Sequence, residues 1–242
     1  MNWLFSSYGA SIVLQVLTLI HYFRNRPEWY WFFLIVFFPP IGPIVYLFVE
    51  VLPGWNWKLP AFERLERRRR KQWLEKLVAD SPTQDSLSEL AAICAKEGEH
   101  GRAVELYGEA LEREPDELDS RFGRGVSLAK LGRARDAVED LRRVVDADPA
   151  FRLHQAALAL AGAHEDLGED EKAAQAYQGI LDRSTVSAAY YGLGKLQAKH
   201  GNQEEAERLM REILDKQSGL PRYLRRQERP WVWKARAFLK SA

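Results

Sequence analysis

Residues 98–111 read GEHGRAVELYGEAL, and the same pattern returns as GRARDAVEDLRRVV at 132–145, GEDEKAAQAYQGIL at 168–181 and GNQEEAERLMREIL at 201–214. Ala103, Ala137, Ala173 and Ala206 therefore recur at spacings of 34, 36 and 33 residues. Gly98, Gly132, Gly168 and Gly201 stand five residues before these alanines, and Tyr107, Leu141, Tyr177 and Met210 stand four after them. Ala91, Gly125, Ala161 and Gly194 keep the same step, as do Leu111, Val145, Leu181 and Leu214. Self-similarity at such a period marks stacked supersecondary units, each too small to bury its apolar face alone.

The physical reading is one helix pair per unit. The glycine sits in the turn, where a positive φ or a close approach is needed, and the alanine lets the second helix pack tightly on the first. The first two units end in Glu114-Pro115-Asp116 and Asp148-Pro149-Ala150, where proline opens the next pair. Over roughly residues 84–219 the sequence resembles the tetratricopeptide repeat family. It departs from that pattern at Arg124, which replaces a leucine, at Phe151-Arg152-Leu153, a small insertion, and in the third and fourth units, which lack the closing proline.

The resemblance implies a superhelix whose inner groove, lined mainly by the first helix of each unit, holds peptides or helices of other proteins. In this register the groove positions are Ala92, Phe122, Val126, Leu158, Tyr191 and Lys195. The lysine and asparagine clamp by which some family members hold a terminal carboxylate is missing, since Ser88, Ala92, Phe122 and Val126 stand on the matching faces. An amphipathic helix or another more apolar ligand is the expected occupant; the bland reading is that Phe122 and Leu158 complete the core. The ends of such a stack need caps. Leu220–Ala242 supplies a candidate, with Pro230 opening a last helix that carries Trp231, Trp233, Ala235, Phe238 and Leu239. Its basic residues offer an acidic partner or a membrane as the alternative role.

Ahead of the repeats, Met1 to Phe23 and Trp29 to Val49 carry no charged side chain. A crossing helix needs about 20 apolar residues, because each backbone amide must be satisfied without water. The first run has no basic n-region and no small-residue cleavage pattern, so it reads as retained. Trp29, Trp31, Trp55 and Trp57 near the ends of the runs are candidate membrane-interface residues, together with the arginine run Arg67, Arg68, Arg69 and Arg70. Pro39, Pro40, Gly42 and Pro43 imply that the second run either kinks or re-enters.

The features Arg24-Asn25-Arg26-Pro27, Trp29 to Phe38, Pro40-Ile41-Gly42-Pro43 and Val45-Tyr46-Leu47 resemble the two-helix N-terminal segment of cardiolipin synthases of the phospholipase D family. That resemblance covers about the first 55 residues and implies a membrane anchor. It does not extend to the chemistry: no histidine of the chain begins the family's His-x-Lys-x4-Asp motif.

The formal net charge of +1 conceals an asymmetry. Ser81 to Leu214 holds 26 carboxylates against 17 basic residues, while the stretch from Lys58 to Lys76 and the C-terminal end are basic. Such a basic cluster after the second apolar run favours a cytoplasmic repeat domain on a bacterial inner membrane. The arginine-rich helix expected over Ala61 to Ala79 either contacts headgroups or acts as a topology signal, and the acidic repeats disfavour nucleic acid.

No phosphate loop, nucleophile elbow or metal-spaced His or Cys cluster is present, so neither an enzyme nor a cofactor is expected. The single cysteine, Cys94, reads as a core thiol. The expected fold is all-α: a two-helix transmembrane hairpin, then an α-solenoid of about four tetratricopeptide repeats and a C-terminal capping helix. The expected divisions are an anchor at 1–57, a basic juxtamembrane helix or linker at 58–82, the repeats at 83–220 and the cap at 221–242. Such a chain would recruit a peptide or helix of a partner protein to the membrane surface, with lipids as further partners. The alternative is an accessory or regulatory subunit of a lipid-synthesis or envelope-assembly complex.

Overall fold

A computed structural model describes residues 2–25, 28–38, 41–47, 49 and 60–241, which hold thirteen α-helices. The chain divides into two compact units, 1–67 and 68–242.

In the first unit, α1 spans Asn2–Asn25, α2 Tyr30–Phe37 and α3 Ile41–Tyr46. Trp31, Ile35 and Tyr46 form its small core, and His21 Nδ1 lies 2.9 Å from the Tyr46 hydroxyl. The Gln15 amide donates to the Ile35 carbonyl at 2.9 Å, tying α1 to α2. Gly42 is required, since a Cβ there would lie 1.9 Å from the Leu34 carbonyl oxygen. Ile12, Val16, Leu17, Ile20, Phe37 and Ile41 remain exposed.

Here the expectation of a transmembrane hairpin is overturned: among the described residues no helix is long and apolar enough to cross a membrane. Among the described residues the second apolar run holds two separate helices, of 8 and 6 residues, about 12 and 9 Å at 1.5 Å per residue, against a hydrocarbon core of about 30 Å. The membrane localisation that rested on the hairpin falls with it, as does the anchor implied by the phospholipase D resemblance. Of the expected interface tryptophans, Trp31 is buried against Tyr46 and Trp29 is exposed, while Trp55 and Trp57 lie outside the described residues.

The helix α4, Pro60–Asp80, carries the arginine run. Its C-terminal half caps the repeats of the second unit: Leu74 is 1% exposed and joins Leu87, Leu90, Ala91 and Cys94 in one apolar cluster, with Leu77 and Val78 packed on it. Lys71 Nζ reaches Glu97 and Glu99 at 2.7 Å each, and Arg70 holds Glu89 through two bonds of 2.7 and 2.5 Å. These bonds from Arg70 and Lys71 hold Glu89 and Glu99 below the usual carboxylate range. Arg68 and Arg69 are exposed and Arg67 is partly so. Burial pushes the Cys94 thiol up, as suits a core cysteine.

Four helix pairs follow: α5 Gln84–Lys96 with α6 His100–Arg113, α7 Leu118–Lys130 with α8 Ala134–Ala147, α9 Phe151–Asp166 with α10 Asp170–Leu181, and α11 Ser187–Lys199 with α12 Gln203–Gly219. Each helix packs on the next, and α5 also meets α7, as α7 meets α9. Thr83 starts α5 with a capping box to Ser86, and Glu117 starts α7 by accepting from the Asp119 and Ser120 amides. Ala103, Ala137, Ala173 and Ala206 are all fully buried, as tight pairing demands.

Gly98, Gly132, Gly168 and Gly201 occupy the four intra-pair turns at φ between +71° and +86°. A Cβ at Gly168 would touch nothing, so Gly168→Ala is expected to cost about 1–2 kcal/mol through backbone conformation alone. Gly179, inside α10 and equally open, supplies the contrast: Gly179→Ala should be neutral or stabilise by up to about 1 kcal/mol. Urea unfolding of the two variants checks the opposite signs.

The last helix, α13, runs Arg222–Ser241 and packs on α12 and α11. It begins before Pro230, where a start was expected, and carries that proline internally. Val232 and Ala235 bury against Met210 and Ile213, so α13 takes the place that the first helix of a fifth pair would occupy.

Candidate functional site: two grooves between first helices

Successive first helices run side by side, and their register places Phe122, Leu158 and Tyr191 at one equivalent position and Val126 and Lys195 at another, one turn on. Between α5 and α7 lies a groove of about 570 Å³ lined by Ala92, Phe122 and Val126. The Tyr107 ring of α6 reaches it over Gly123, where a Cβ would stand 2.3 Å from the tyrosine Cζ. Burial pushes the Tyr107 hydroxyl up to about 12. Ser127 Oγ and His100 Nδ1 are buried on the groove wall with no hydrogen-bond partner among the described residues.

One end of this groove is bordered by the insertion at the start of α9. Arg152, Leu153 and His154 adopt φ of +46°, +56° and +65°, a left-handed turn that L residues rarely make. The Arg152 guanidinium pairs with Asp119 at 2.6 Å and lies 5.4 and 5.6 Å from the ring centres of Phe122 and Phe151. The ion pair and ring contacts offset part of the cost of the turn.

A second groove of about 330 Å³ lies between α9, α11 and α13, lined by Leu158, Tyr191, Lys195, Trp231 and Lys234. The Tyr191 and Trp231 ring centres are 5.9 Å apart, and Lys234 Nζ stands 4.4 Å from the Trp231 centre. Lys195 Nζ meets Glu165 at 3.1 Å, and the same carboxylate accepts from the Tyr177 hydroxyl at 2.6 Å. As at Tyr107, the Tyr177 ring sits over a glycine, Gly192, with 2.3 Å to a Cβ there.

All six groove positions read from the sequence thus line one groove or the other, three in each. Phe122 and Leu158 are half-buried: each lines a groove and also packs on a core cluster. Sequence reasoning missed the walls contributed by Trp231, Lys234 and Arg152, because nothing in the repeat pattern places an insertion or a terminal helix beside the groove. It also missed a buried charge cluster behind α7: Asp140 lies between Arg124, bound through two bonds of 2.7 Å, and Arg121 at 3.6 Å. His164, also buried, bonds Glu169 at 2.6 Å, and Glu169 is held below the usual carboxylate range by Lys172 and His164. Among the described residues no group of three or more His, Cys, Asp or Glu side chains is placed to hold a metal ion.

Stacked antiparallel helix pairs with a groove between the first helices define a helical-repeat protein. The repeats are tetratricopeptide repeats: one tetratricopeptide family model matches residues 95–150 and 127–188, and another matches 188–218. Similar solved structures include MamA 41-end from Desulfovibrio magneticus RS-1, 19% identical, covering 67% of this chain and 92% of that one at a TM-score of 0.60. YrrB, described as a TPR protein with an unusual peptide-binding site, is 18% identical and covers 65% of this chain and 81% of its own at 0.56. At such identities the likeness is one of fold. The TPR repeat-containing thioredoxin TTL4 of Arabidopsis thaliana is 29% identical over 99 residues, which are 40% of this chain and 14% of that protein. The chain thus spans a small part of that curated relative's length.

Proposed function

We propose that the chain is an interaction scaffold whose two grooves hold a peptide or helix of a partner protein. The observation that carries the reading is the convergence of six register-equivalent positions on two open, partly apolar grooves along the first helices. Half-buried Phe122, Leu158 and Tyr191 leave apolar area that a partner would remove from water, and pre-formed helices lose little entropy on binding. The fold's likeness to a peptide-binding repeat protein supports the same reading. No residue is assigned a catalytic role.

The test is crosslinking and mass spectrometry on the tagged full chain with and without Phe122→Glu plus Leu158→Glu. Partner recovery is expected to fall about tenfold or more, as when an interface hot spot is lost. Matching circular dichroism and unfolding midpoints keep a folding defect apart from a binding defect. An unchanged partner set in a folded double variant would remove the grooves from the interaction.

A further inference from the structure

We infer that the groove walled by α13 selects an acidic segment that presents one large apolar side chain. The inference rests on the scaffold reading and adds the chemistry of the ligand at this second groove.

The anchor site comes first. Tyr191 and Trp231 are half-buried, their rings 5.9 Å apart at 50°, with Leu158 beside them. The groove's 330 Å³ lies within the ~300–1,000 Å³ of pre-formed ligand sites. Its apolar lining suits a large aliphatic or aromatic side chain, and two aromatic walls give such a contact at little conformational cost.

Charge then fixes what flanks the anchor. Lys234 lies over both rings and meets no carboxylate among the described residues. Arg226, Arg229, Arg236 and Lys240, also exposed on α13, likewise meet no carboxylate among the described residues. The single carboxylate of that helix, Glu228, is taken by Lys216 at 3.5 Å. Among the described residues no carboxylate lines the groove; Glu165, which binds two of its lining side chains, is already matched by Lys195 and the Tyr177 hydroxyl. An exposed pair such as Lys195–Glu165 is worth little, so Lys195 is free to turn toward a partner's carboxylate.

The rest of the stack sharpens the choice. Ser81 to Leu214 holds 26 carboxylates against 17 basic residues, so an acidic segment is repelled along most of the repeats and attracted to the basic stretches on either side of them, of which the C-terminal one walls the groove. The field thus sets where and in which register the segment docks, while the rings supply the apolar contact.

The experiment is selection of short random displayed peptides on the full chain, followed by synthesis of the enriched sequences and fluorescence anisotropy. Enriched peptides are expected to carry Asp or Glu on both sides of a Phe, Trp or Leu, and to bind more weakly as salt rises. Lys234→Glu, an exposed charge reversal, and Trp231→Ala should each weaken them by about tenfold or more. Basic or uncharged winners overturn the inference, as does equal binding by Lys234→Glu. Tighter binding of a single-stranded oligonucleotide than of any peptide would assign the basic aromatic surface to nucleic acid instead. Winners that are lost with Phe122→Glu but indifferent to Lys234→Glu would keep the scaffold reading and sink this one; no enrichment on either groove would sink both.

Discussion

Asp140→Ala is expected to destabilise the repeat domain by about 3–5 kcal/mol, the cost of breaking a buried ion pair by removing one partner. Asp140 is 4% exposed and Arg121 8%, and the Arg124 guanidinium makes both of its bonds to the same carboxylate. Arg121 has one further partner, the Pro115 carbonyl. Without the carboxylate two guanidiniums remain in the second helix pair, Arg121 with the Pro115 carbonyl and Arg124 with the influence of Glu139. Replacing Arg121, Arg124 and Asp140 together by apolar residues of similar volume should recover most of the loss, because the desolvation penalty disappears with the charges. Urea unfolding of the single and triple variants measures both. A single-variant cost under about 1 kcal/mol would mean that water already solvates the cluster as it does an exposed pair.

Leu74→Ala should cost about 2–5 kcal/mol, the range for truncating a buried leucine. Leu74 is 1% exposed and is the deepest contact that α4 makes with the first pair. In a stack of repeats each unit contacts only its neighbours, so the damage should stay at one end. Hydrogen exchange is expected to quicken over residues 68–96 and to leave the third and fourth pairs near their original rates. Uniform quickening along all four pairs would show instead that the stack unfolds as one cooperative body.

The repeats were legible because their register is a sum of small steric demands, each visible as a residue type. The glycines at 98, 132, 168 and 201 are the only type that takes a positive φ at no steric cost, and all four do so. The six groove positions follow from the same register. Arg124 could be seen to depart from the pattern, yet its partner Asp140 lies 16 residues on and looks like any other carboxylate on a charged helix. In α4 the arginine-rich helix over 61–79 was readable, but not that Leu74, Leu77 and Val78 turn its second half onto the repeats, since a pattern along one helix leaves open what covers it. At the N-terminus hydropathy overreached. Absence of charge made two runs look like spans, whereas α2 continues for only 8 residues and ends at Phe37.

The tyrosines over glycines restrict how such a chain can be rearranged. Tyr107 needs the missing side chain of Gly123 in the following pair, and Tyr177 needs that of Gly192. At the intervening junction Leu141 stands at the tyrosine position and Ala159 at the glycine position, both in one cluster. A shuffled gene that joined the first pair directly to the third would drive a phenol ring into the Ala159 methyl, although the four units look interchangeable on paper. The pairs therefore assort in twos, first with second and third with fourth, and their order along the polypeptide is inherited as a lock-and-key series.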